Sequence, residues 1–151
     1  FTPNQEQAAS ELLRVCRPGG QVLMTTWMFE GFVGETFTLT GSFMPPPPEG
    51  VGLPPQWGLE DHVRDMFGRA GIADPTVTPA TISFAFPSVD ACVEEYSTKI
   101  GPFAMARVVL EPAGRWEEYR DGFADLVRRF NAATDGSVLL PSSYFLIDAR
   151  P

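Results

Sequence analysis

The 151-residue sequence is poor in the side chains that most enzyme chemistry needs. It holds one histidine, His62, and two cysteines, Cys16 and Cys92, set far apart. That pattern supplies no zinc-ligand spacing, so no metal site is expected. Nor do two distant cysteines make a disulfide framework, which favours a reducing compartment and a cytoplasmic location. A G-x-S-x-G nucleophile turn is absent, as are G-x-G-x-x-G and G-x-x-x-x-G-K-[ST], the glycine-rich turns that cradle phosphates. Gly50-Val51-Gly52 sits between prolines and follows no strand, so it does not replace them.

Basic residues are scarce as well. Eleven lysines and arginines face nineteen acidic residues, for a net charge of −8. Such a surface repels phosphate backbones and anionic lipid, so neither nucleic acid nor a membrane surface is an expected partner. No apolar run approaches the ~20 residues of a membrane helix. The longest stretch, 138–147, is broken by Pro141, Ser142 and Ser143. No leader pattern precedes the first helix. The sequence opens on Phe1 rather than methionine, as a processed product or part of something longer would.

What is present reads as one α/β domain over 1–151, with 44% apolar residues and twelve phenylalanines. Asn4 caps a first helix, with Gln7 three residues on. Ala8, Ala9, Leu12, Val15 and Cys16 line its apolar side. Arg17-Pro18-Gly19-Gly20 ends that helix and turns into a β-rich run, residues 21–27, whose continuous apolarity predicts burial on both faces. Residues 32–44 predict a helix, and 45–55 a stiff proline loop. Leu59, Val63, Met66, Phe67 and Ala70 mark a further helix, and 76–86 a strand with Ile82, Phe84 and Phe86 on one face. Ser88 caps the next helix (Val89, Cys92, Val93, Tyr96, Ile100), with a continuation at 103–110. Pro112 is expected to open the last helix, before a strand over 138–149. Pro141 is tolerable in a central strand only near its start or at a bulge.

The most specific stretch runs Glu11-Leu12-Leu13-Arg14-Val15-Cys16-Arg17-Pro18-Gly19-Gly20-Gln21-Val22-Leu23, followed by Trp27. It resembles the helix, Pro-Gly-Gly turn and fifth strand of class I S-adenosylmethionine-dependent methyltransferases. Phe67-Gly68-Arg69-Ala70-Gly71-Ile72 is similar to that family's entry to its sixth strand, and residues 137–149 to its seventh. Phe1-Thr2-Pro3-Asn4 looks like the exit from its fourth. The resemblance implies the C-terminal half of a Rossmann-like fold, with a three-stranded sheet in the order five-seven-six and flanking helices. The family's glycine-rich cofactor turn and ribose-binding carboxylate belong to its N-terminal half, and neither maps onto a residue of this sequence.

Two functional readings follow. In the first, the chain is the C-terminal portion of a methyltransferase for a small-molecule acceptor. S-adenosylmethionine is the implied cofactor, and this chain carries the acceptor side of the site. In the second, it is a non-catalytic truncated homologue, a small-ligand-binding or oligomerisation module. Both expect a strand edge at Gln21 to Trp27 that pairs with a second copy or with a missing N-terminal half. Trp27, Phe29 and Phe32 are candidate acceptor-lining residues or core aromatics. Trp57 either closes over a ligand or anchors the proline loop. His62 and Glu30, with Glu60 behind them, are the acid/base candidates, with an ordinary solvated role as the alternative.

Overall fold

A computed structural model describes residue 2 and residues 4–150. Phe1 and Pro3 of the expected fourth-strand exit lie outside the described residues. Six α-helices and three strands are formed: α1 (Gln5–Val15), β1 (Val22–Trp27), α2 (Phe32–Phe43), α3 (Glu60–Arg69), β2 (Thr76–Phe86), α4 (Val89–Lys99), α5 (Gly101–Leu110), α6 (Trp116–Phe130) and β3 (Val138–Ala149). A 3-10 turn, Pro54–Gly58, follows the proline loop. The sheet is antiparallel and ordered β1-β3-β2. The chain divides into two compact units, one of Phe1–Glu30, Pro47–Thr81 and Ser143–Pro151, the other of Gly31–Pro46 and Ile82–Ser142.

In the first unit, the Asn4 side chain accepts a hydrogen bond from the Gln7 backbone N–H and starts α1. The helix ends in a tight turn closed by Gly20 N–H to the Arg17 carbonyl at 2.8 Å. Gly19 sits at φ 70° after Pro18, the proline-then-glycine order of a type II turn. A Cβ at Gly20 would lie 2.6 Å from Cys16 Sγ, so this turn accepts no side chain there. β1 then pairs antiparallel with β3, from Val22 opposite Ala149 to Trp27 opposite Tyr144.

β1 corrects one expectation. It is not buried on both faces: Val22, Met24 and Thr26 are half-buried, while Leu23 is 58% exposed and Thr25 is exposed. The reason is a packed layer on one face of the strand only. That layer joins Ala9, Leu13, Trp57, Val63, Met66, Phe67, Phe145, Ile147 and Ala149 into one core. α1 and α3 supply its helical part through apolar residues at three- and four-residue spacing.

The second unit is mainly helical. Phe32 of α2, Phe103 of α5, and Tyr119 and Phe123 of α6 centre its core, with Cys92 and Val93 of α4 and Val138 and Leu140 of β3. Ring centroids of Phe103 and Phe123 lie 4.6 Å apart, edge to face, an arrangement that aromatic quadrupoles favour. The Ser88 hydroxyl caps α4 by accepting from Ala91 N–H. Pro112 does not open α6. It lies in the turn after α5, where Gly114 takes φ 68° and Arg115 N–H reaches back to the Leu110 carbonyl at 2.9 Å. Those bonds satisfy the end of α5, and α6 begins only at Trp116.

Pro141 lies in β3 ahead of the segment paired with β1, which begins at Tyr144. Its missing N–H therefore falls outside that ladder.

Candidate functional site

The sequence-derived candidates meet, in part, at the carboxyl end of β1. Met28 N–H donates to the Ser143 carbonyl at 3.1 Å, in register with the β1–β3 ladder. In an antiparallel pair, bonded and non-bonded positions alternate. Val22, Met24, Thr26 and Met28 therefore spend their backbone groups on β3. Leu23, Thr25 and Trp27 aim theirs at the side where, among the described residues, no strand follows.

At Trp27 that side is filled by the 3-10 turn. A Cβ at Gly58 would stand 2.1 Å from the Trp27 carbonyl oxygen and 2.6 Å from Phe29 N. Phe29 N–H in turn donates to the Gly58 carbonyl at 3.0 Å. Only glycine permits two backbones this close. The turn thus fixes the two residues after β1, and Phe29 leaves them with 40% of its surface exposed. Trp27 packs edge to face on Tyr144, with centroids 6.2 Å apart. Glu30 is exposed beside Phe29.

Trp57 is 8% exposed and belongs to the first unit's core with Val63, Met66 and Phe67. Phe32 is buried in the second unit's core, against Tyr96, Phe123 and Phe130. Glu60 is paired with Arg64 at 2.8 Å on α3.

His62 sits in the first turn of α3 with Nε2 2.8 Å from Gln5 Oε1. Gln5 is 5% exposed, and its Nε2 donates to the Leu53 carbonyl at 2.8 Å. Because the amide nitrogen is the donor to Leu53, its oxygen is an acceptor. The network therefore assigns the proton on His62 to Nε2. Gln5 and Gly58 are the two residues that the sequence reading passed over. Gln5 carried no signal beyond its place after the Asn4 cap, and Gly58 only its position after Pro-Pro-Gln-Trp.

Among the described residues, no group of three or more His, Cys, Asp or Glu side chains could hold a metal ion. No helix among them is long and apolar enough to cross a membrane. S-adenosylmethionine asks for a glycine-rich turn at a strand's carboxyl end and a carboxylate for its ribose hydroxyls. The β1–α2 crossing offers the single glycine Gly31 and the exposed Glu30, and β2 leads into α4 through Pro87-Ser88. These residues do not fit the cofactor.

Two proteins of Mycobacterium tuberculosis (strain ATCC 25618 / H37Rv), both described as uncharacterized, are each 31% identical to this chain. The matches cover 103 and 104 residues, 68% of this chain and 37% of each relative. An uncharacterized protein of Mycobacterium bovis (strain ATCC BAA-935 / AF2122/97) matches to the same extent as the first. The matched stretch thus spans 37% of the length of these curated relatives. No protein-family model matches the chain.

Proposed function

We propose that the chain is the C-terminal, acceptor-side portion of an S-adenosylmethionine-dependent methyltransferase acting on a small molecule. One observation carries the reading. In those enzymes the last three strands lie in the order five-seven-six, with seven antiparallel to its neighbours. Here the order is β1-β3-β2, with β3 antiparallel to β1. The helix, Pro-Gly-Gly turn and strand formed by α1, residues 17–20 and β1 support the same correspondence.

On this reading the acceptor lies over the carboxyl end of β1, where open α/β sheets take their ligands. Phe29, with Trp27 beside it, offers aromatic surface to a neutral or apolar molecule, and the acidic surface disfavours anions. The chain's own contribution is to hold the acceptor in line. Glu30 is the acid/base group nearest Phe29 in the chain. The cysteines are free, which supports a cytoplasmic protein.

The edge of β1 favours the second reading, a module that pairs with other polypeptide. Leu23 and Thr25 present backbone donors and acceptors on a strand without proline or charge to guard it. A second copy or the cofactor-binding half of the fold would complete it. More than half of each mycobacterial relative lies outside the match, which favours the latter.

Calorimetric titration with S-adenosylmethionine and S-adenosylhomocysteine, on this chain and on a full-length mycobacterial relative, tests the proposal. Binding by the relative and none by the folded chain is expected. Binding by neither overturns the methyltransferase reading.

A further inference from the structure

The sole histidine sits in a polar clasp rather than in open solvent. Three elements of the first unit meet at Gln5: the start of α1, the start of α3 and the entrance to the 3-10 turn. His62 Nε2–H donates to Gln5 Oε1, and Gln5 Nε2–H donates to the Leu53 carbonyl, both at 2.8 Å. The same Leu53 carbonyl accepts from Gln56 N–H at 3.0 Å, while Leu53 N–H donates to Gln56 Oε1 at 2.8 Å. Leu53 is thus the cap of the 3-10 turn, gripped from outside by Gln5. Gly52 makes room for that grip, since a Cβ there would lie 3.1 Å from Gln5 Cδ. At the far end of the turn, Gly58 holds the Phe29 amide.

We infer that His62 and Gln5 are positioning residues: the clasp sets the 3-10 turn and, through Gly58, the exposed Phe29 ring at the carboxyl end of β1. This rests on the reading of Phe29 as acceptor-facing. It gives His62 work that needs no proton transfer, because its Nε2 proton is engaged in the clasp. A buried carboxamide that keeps both ends bonded holds one orientation, since leaving either end unmade costs its desolvation. The clasp and the buried Trp57 ring together leave the turn one seat. Loosening the clasp therefore weakens acceptor capture.

Amide hydrogen exchange on the intact chain reads the inference without any ligand. His62→Leu fills similar space and donates nothing, whereas His62→Gln keeps an N–H within reach of Gln5. Exchange at Phe29 is expected to rise roughly tenfold in His62→Leu, the scale of one buried hydrogen bond, and to stay within about twofold in His62→Gln. Equal exchange in the two variants, whether slow or fast, overturns the inference, because a packing role does not distinguish donor from hydrocarbon. Unchanged exchange at Ile147 and Ala149 in the first unit's core certifies folding. Should His62→Leu fail to fold, Gly52→Ala presses on the same carboxamide and is expected to speed Phe29 exchange likewise. Wild-type exchange there overturns the inference too. The cofactor titration is separate, so failure of the methyltransferase reading leaves this result standing and is distinguishable from it.

Discussion

Gly58 and Trp27 meet backbone to backbone, with no room between the Gly58 Cα and the Trp27 carbonyl oxygen for even a methyl group. Gly58→Ala must push the 3-10 turn away from β1 and break the Phe29 N–H bond to the Gly58 carbonyl. The expected cost is about 1–3 kcal/mol, the range for forcing extra atoms into a packed site. Urea unfolding followed by circular dichroism measures it. A stability equal to wild type would mean that the turn does not seat on β1.

Phe103 is buried at the centre of the second unit's aromatic core, against Tyr96, Tyr119 and Phe123. Phe103→Ala is expected to destabilise by about 3–5 kcal/mol through lost burial and the cavity left behind. Phe103→Leu should lose distinctly less. Thermal melts of the two variants compare them directly.

Tyr119 donates its hydroxyl proton to Thr40 Oγ1 at 2.8 Å, since the Thr40 hydroxyl proton is spent on the Thr36 carbonyl. Tyr119→Phe keeps the ring and removes one bond. A loss of about 0.5–1.5 kcal/mol is expected in urea unfolding.

Burial also sets an alkaline limit. It pushes the Cys92 thiol from 9.0 up to about 12, with Glu95 adding to the shift. Burial likewise raises the Tyr119 hydroxyl from 10.0 to about 12. Both groups hold their proton more tightly folded than unfolded. Their contribution to stability is complete below pH 9.0 for Cys92 and 10.0 for Tyr119, and is lost as pH rises toward about 12. The urea midpoint should fall across that window, and a Cys92→Ala, Tyr119→Phe double variant should show a shallower fall.

Leu23 is exposed, and its backbone groups face the open side of β1. Leu23→Lys is expected to leave the melting temperature nearly unchanged and to weaken strand-edge association. Light scattering over a concentration series reads the second effect. If wild type and variant associate equally, the edge is not the contact.

Much of the helical layout was legible because caps and periodicity are local signals. Asn4 and Ser88 bond to the N–H groups expected of them, and Pro18-Gly19-Gly20 turns the chain as its φ preferences require. Burial of β1 was not legible. A continuous apolar run does not reveal how many layers cover it, and Leu23 faces outward because nothing described lies above it. Pro112 misled for a related reason: proline suits the first turn of a helix and the turn after one equally well, and Gly114 decides between them. At the site, Trp57, His62 and Phe29 stood out by residue type. The contacts that organise them, Gly58 on Trp27 and Gln5 between Leu53 and His62, join residues distant in sequence, and such pairs leave no periodic trace.

The proline loop bears on the unfolded chain as much as on the folded one. Pro45, Pro46, Pro47 and Pro48, then Pro54 and Pro55, restrict φ before any contact forms. Ordering this stretch therefore forfeits less conformational freedom than its length implies, and a few bonds at Gln5 and Gln56 suffice to hold it. Serines in place of those prolines would leave the clasp's partners unchanged and still loosen the turn, because the disordered alternatives would have multiplied.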